Sequence, residues 1–154
     1  MQTFLPYNNF LDSARCLDYR RLGKQRVECK QILQALRVPV GGPLRDKPSS
    51  WRNHPATRMW QGYEYSLCLY AIAICDEWRR RGYRDTLQQQ FYDAAAPLID
   101  TTECARPAWL GDEAFHASHR SNLLRKLPEH YGAFGWTEPD NLEYVWPVGT
   151  AVAV

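Results

Sequence analysis

Nothing in the 154-residue chain is long and apolar enough to cross a bilayer: the longest apolar run, Leu67–Cys75, falls well short of the about 20 residues that a spanning helix needs. Met1-Gln2-Thr3 leads into no basic segment followed by an apolar one, so neither a secretory leader nor a membrane partner is expected, and a cytoplasmic location is. Internal repeats, low-complexity tracts and clear strand alternation are also missing. The phosphate-cradling P-loop, the dinucleotide glycine motif, G-x-S-x-G, H-E-x-x-H and the zinc-deaminase signature are all absent. These absences remove much of the familiar enzyme repertoire, and no cofactor is expected. Five cysteines, Cys16, Cys29, Cys68, Cys75 and Cys104, form no C-x-x-C pair and read as reduced core thiols. His54, His116 and His119 lack carboxylates at ligand spacing, so no metal site is expected.

What is present is a charge imbalance hidden inside a net charge of +2. Residues 1–60 hold 11 Lys/Arg against 4 Asp/Glu, whereas residues 61–154 hold 8 against 13. Such a division suggests a basic face for a polyanion, most economically nucleic acid. With 45% hydrophobic and 13% aromatic residues, the chain can bury a sizeable core, and one domain covering 1–154 is expected.

The spacing of apolar residues predicts an all-α fold of three main helices plus shorter ones. Asp12 or Ser13 opens a helix that runs to about Leu36, with Leu22, Cys29, Leu33 and Leu36 toward the core. Arg21, Gln25 and Glu28 lie on a neighbouring stripe of that helix and can converge on one region. Gly23, inside it, costs about 1 kcal/mol relative to alanine and marks a kink or the close approach of another backbone. After a Gly/Pro-rich loop over 38–50, Asn53 or His54 opens a central helix that Pro55 suits and Gly82 ends. A short amphipathic piece covers about 85–94. A last helix spans Asp112–Leu127, its acids first and its bases last, and an irregular aromatic tail follows.

The chemistry-bearing groups are then few: the basic helix, the Asn53-His54 helix start, His116-x-x-His119-Arg120, and Tyr131. His116, His119 and Arg120 share a helix face and could meet a phosphate or a base edge. Two readings stay open on these residues alone: a non-catalytic nucleic-acid binder, and a hydrolase or glycosidase of unrelated substrate using His54, Glu28 and His119.

The order of motifs resembles the pyrimidine-dimer DNA glycosylase family, the phage-type endonuclease V fold. The similarity rests on Tyr19-Arg20-Arg21-Leu22 with Arg26-Val27, on Asn53-His54-Pro55 opening the central helix, and on Arg80-Arg81-Gly82-Tyr83 with Asp85-Thr86. Ser121–Leu127 followed by His130-Tyr131-Gly132 completes it. The resemblance implies a helical domain whose N-terminus is inserted between helices. It also implies glycosidic cleavage by the N-terminal amine, then strand scission at the abasic site, with DNA as the partner; a monomer is expected. Met1, Glu28, His54 and Arg21 are the catalytic candidates it implies. Arg20, Lys24, Arg26, Asn53, His116, His119, Arg120 and Tyr131 are the candidate nucleic-acid contacts, with Trp51, Trp60 and Tyr131 as aromatics that could fill the stack. The family's acid directly follows its Tyr-Arg pair, where this chain has Arg21, so Glu28 is expected to take its role. An α-amine with a pKa of about 7.7–8.0 is neutral in roughly a tenth of molecules at pH 7, and a lysine near 10.4 in well under a thousandth. The terminus is therefore a better imine-forming nucleophile than Lys24.

Overall fold

The computed structural model describes residues 1–101 and 105–147, and among them it is entirely helical and irregular, with no strand. Cys104 lies outside the described residues, and the other four cysteines are buried free thiols. No helix is long and apolar enough to cross a membrane.

The first expected helix is two. Helix α1, Phe10–Cys16, starts where the Asn9 side chain accepts from the Asp12 amide. It stops at Leu17, whose backbone is extended, and α2, Tyr19–Ala35, restarts under a cap from Asp18, whose carboxylate accepts from the Arg21 amide. The Asp18 cap decides the break, because it satisfies the Arg21 amide, a donor that the preceding turn cannot. The central helix is likewise interrupted. His54 caps the single turn α3, Pro55–Arg58. The chain then passes through Gly62 at φ 88° before α4, Glu64–Arg80, begins. Gly82, at φ 94°, ends α4 as expected. Helices α5, Gln88–Ala95, α6, Glu113–Lys126, and α7, Pro128–Tyr131, complete the set.

Helix α4 is the hub. It packs against α1, α2 and α5 through Leu67, Tyr70, Ala71, Ile74 and Cys75, all fully buried. Helix α2 answers with Leu22, Cys29, Ile32 and Leu33. Gly23 does not kink α2, which is continuous, and its neighbour is a ring rather than a backbone. A Cβ there would lie 2.9 Å from both Cη2 and Cζ3 of Trp78.

Helix α6 has no apolar stripe, yet it is one of the most buried. Its inward face is polar: His116, Ser118, His119, Arg120, Ser121 and Asn122 are all buried. Ser118 and Ser121 accept from the Val145 and Leu142 amides, and Asn122 donates to the Leu142 carbonyl. These three hold the aromatic tail; the other three hold the opposite end of the chain.

Candidate active site

Residues Gln2–Pro6 have no regular secondary structure and are buried, held among α2, α4 and α6 by side chains of those helices. Buried backbone polar groups need partners, and here side chains supply them. The Gln2 amide donates to Glu28 Oε2 at 3.2 Å, and its carbonyl accepts from Gln25 Nε2 at 2.8 Å. The Phe4 amide donates to Gln25 Oε1 at 3.0 Å, and its carbonyl accepts from the Tyr70 hydroxyl at 2.6 Å. Leu5 donates to His119 Nδ1 at 2.9 Å and accepts from His116 Nδ1 at 2.7 Å. The Pro6 carbonyl accepts from Arg120 at 2.7 Å. Trp60 Nε1 holds the Thr3 hydroxyl at 3.0 Å.

This arrangement corrects the expectation for the His-x-x-His-Arg face. His116, His119 and Arg120 are 2%, 0% and 8% exposed, and they clamp the N-terminal arm instead of facing a phosphate. His116 accepts from the Gly111 amide at Nε2, so its Nδ1 carries the proton that Leu5 receives. His119 accepts at Nδ1, so its proton sits on Nε2. Both rings are held neutral. Burial, reinforced by the neighbouring His116, pushes His119 down to about 3, and burial lowers His116 as well. A hydrolase using His119 thereby loses its accessible base.

The arm delivers Met1 to one rim of a cavity of about 990 Å³. Asp18, Arg20, Arg21, Lys24, Gln25 and Glu28 come from α2 and its cap, Arg81 from the end of α4, and Lys126 and Tyr144 from the C-terminal part. Glu28 is 7% exposed and holds Gln2 and Gln25 on Oε2, while Oε1 lies 3.6 Å from the exposed Lys24 ammonium. His54 is not among the residues that line the cavity, and its link to them is electrostatic. Its Nδ1 accepts from the Ala56 amide at 3.0 Å, which leaves Nε2 protonated in the neutral ring. Burial lowers its pKa first, the positive Met1 amine lowers it further, and Glu28 opposes both. The Met1 amine and the Glu28 carboxylate thus both act electrostatically on the His54 ring. Among the described residues no carboxylate comes within 4.0 Å of the Met1 amine.

Of the other expected contacts, Arg20, Arg21 and Lys24 line the cavity. Arg26 does not. Its guanidinium pairs with Asp85 at 2.6 Å and lies over the Trp78 ring at 5.0 Å. Asn53 is exposed on another face, beside Arg52 and Gln61. Tyr131 is fully buried, and its hydroxyl donates to Asp18 at 2.5 Å. Burial pushes the Asp18 carboxyl up, but the Tyr131 and Arg21 hydrogen bonds outweigh it and leave the pKa lowered. Trp60 is fully buried too, so of the three aromatics considered for stacking only Trp51 is exposed. Sequence reasoning missed Arg81, Lys126 and Tyr144, which reach the cavity from far along the chain. Lys126, with its pKa lowered by partial burial and then by Arg21, Arg125 and Lys24, had only its place in the last turn of α6 to signal it. Gln25 was on the right stripe, but its hold on two backbone groups had no sequence signature.

The helical fold thus gathers an amine-bearing arm, a sheltered carboxylate and several cations around one cavity. The model of one family, pyrimidine dimer DNA glycosylase, matches residues 1–90, and the chain belongs to that family. Its function class is accordingly DNA glycosylase, with DNA as the bound polymer. No curated protein and no solved structure gives a significant match. Met1, Glu28 and His54 lie inside the matched part, while Lys126 and Tyr144 lie outside it.

Proposed function

We propose that the protein excises a damaged or modified base from DNA with the Met1 α-amine as nucleophile and then cleaves the strand. The observation that supports this most is the arm. Side chains from three helices hold Gln2–Pro6 at nearly every backbone polar group, and the residue so placed is the one that carries the amine. A nucleophile held in place avoids much of the entropic cost of bringing the reactants together.

The neutral amine bonds to C1′ of the target sugar as the glycosidic bond breaks, and the base leaves with the electron pair and a proton. Loss of an amine proton and opening of the ring at O4′ produce an iminium ion. Removal of a C2′ proton then expels the 3′ phosphate. Glu28, sheltered and still reached by Lys24, is the group that carries these protons. His54, neutral and protonated at Nε2, can donate a hydrogen bond at the same place. Arg20, Arg21, Lys24, Arg81 and Lys126 attract the backbone, an attraction that weakens with salt. A base inside a duplex has to leave the stack to be reached. The pyrimidine dimer of the family's description is the first lesion to test.

Glu28→Gln tests this reading, because glutamine keeps an acceptor for the Gln2 amide and loses the titratable oxygen. General acid–base catalysis contributes about 10²–10⁴-fold, so incision of abasic-site DNA should fall in that range while DNA affinity stays level or rises. Wild-type incision by the variant would remove Glu28 from the mechanism.

A further inference from the structure

The two oxygens of Glu28 have different surroundings. Oε2 accepts twice, from the Gln2 amide at 3.2 Å and from Gln25 Nε2 at 3.1 Å. Oε1 lies 3.6 Å from the Lys24 ammonium, whose side chain is 74% exposed. Gln25 makes this division. It is 1% exposed, and its amide uses both donors and both lone pairs. Nε2 donates to the Gln2 carbonyl at 2.8 Å as well as to Glu28. Oε1 accepts from the Phe4 amide at 3.0 Å and lies 2.9 Å from the Tyr70 hydroxyl. These partners fix which way the amide points: turned over, its oxygen would meet a carbonyl and a carboxylate, and its nitrogen an N–H group. Residues 25 and 28 stand three apart on α2, where side chains are neighbours, and Tyr70 anchors the same amide to the hub helix α4. One buried side chain therefore touches the carboxylate, the arm on both sides of Thr3, and the core.

We infer that Gln25 is a positioning residue for the reaction: its amide ties the Glu28 carboxylate to the Met1-bearing arm, reserves Oε2 for that tie, and leaves Oε1 as the oxygen that exchanges protons with the substrate. The inference deepens the DNA glycosylase reading and rests on Glu28 as its acid–base group. A carboxylate oxygen with two N–H donors already on it has little left to offer a ligand, whereas an oxygen beside an exposed ammonium does. Glutamine suits the place because one rigid plane carries donors for the carboxylate and the Gln2 carbonyl and an acceptor for the Phe4 amide. Methionine, of the same length, fills the space and makes none of these bonds.

The test compares single-turnover cleavage of a duplex with one abasic site by wild type, Gln25→Met, Glu28→Gln and the double variant, with duplex affinity read by anisotropy and folding by urea unfolding. A misplacement of about 1 Å costs about 10²-fold, so Gln25→Met should slow cleavage by about 10- to 100-fold and leave the dissociation constant of the duplex unchanged. Once Glu28→Gln has removed the carboxylate there is no base to position, and adding Gln25→Met should then slow cleavage by about 5-fold or less. Gln25→Glu keeps the acceptors for Phe4 and Tyr70 and removes both Nε2 donors; it carries the same comparison, with the same expected slowing, if Gln25→Met does not fold. Equal factors in the two backgrounds would assign Gln25 to the fold alone and overturn the inference, as would wild-type cleavage by Gln25→Met. Wild-type cleavage by Glu28→Gln would overturn the acid–base reading, and this inference with it.

Discussion

Gly23→Ala is ordinarily a stabilising change in a helix, by about 1 kcal/mol, and the packing against Trp78 predicts the opposite here. The added Cβ would sit 2.9 Å from two atoms of the indole, well inside van der Waals contact. The ring has little freedom to move aside. It stacks on Tyr83 at 4.2 Å, lies beneath the Arg26 guanidinium at 5.0 Å, and donates from Nε1 to the Arg84 carbonyl at 2.7 Å. Overpacking of this kind costs about 1–3 kcal/mol, which offsets or exceeds the propensity gain, so the single variant should be destabilised by up to about 2 kcal/mol. In a Trp78→Ala background the obstacle is gone, and the same glycine substitution should stabilise by about 1 kcal/mol. The quantity to measure is the interaction energy of the four-membered cycle, by urea unfolding with the slope checked for constancy. Equal effects of Gly23→Ala in both backgrounds would refute the contact as the reason for the glycine.

Two further outcomes follow from the clamp and the cap. His119 titrates near 3 in the folded protein and near 6.5 when unfolded. The folded state therefore binds fewer protons between those values, and the stability it contributes is complete above pH 6.5 and lost as the pH falls toward 3. Urea unfolding should show a loss of about 1.4 kcal/mol per pH unit from this residue across that window, and His119→Asn should flatten the slope; an unaltered slope contradicts the assignment. Tyr131→Phe removes the hydroxyl that serves Asp18 and should lower stability by about 1–3 kcal/mol without abolishing imine trapping on DNA. Loss of trapping in a stably folded variant would return Tyr131 to the DNA contacts.

The periodic apolar residues make the helical class and the hub helix readable in the sequence, and the acids and bases at its two ends do the same for the last helix. The helix boundaries were less so, because local caps decided them. Asp18 and Gly62 split helices that the apolar stripe alone would have joined. The expected stripe of Arg21, Gln25 and Glu28 does converge, and Met1 comes to it. The histidines of α6 illustrate the limit of such reading. A polar face on a helix signals solvent or a ligand in most chains, and here it serves a buried irregular segment that a periodicity argument cannot see. Arg26 was drawn away from the cavity by Asp85 and Trp78, partners 59 and 52 residues further along the chain. Arg81 and Lys126 were brought in by the same long-range packing.

Borohydride trapping on duplex DNA with an abasic site addresses the central claim most directly, using the native protein, an N-terminally acetylated form, and peptide mapping of any adduct. The account predicts a covalent adduct on the Met1 peptide that acetylation abolishes. No adduct with the native protein, or one on Lys24 that survives acetylation, would contradict it.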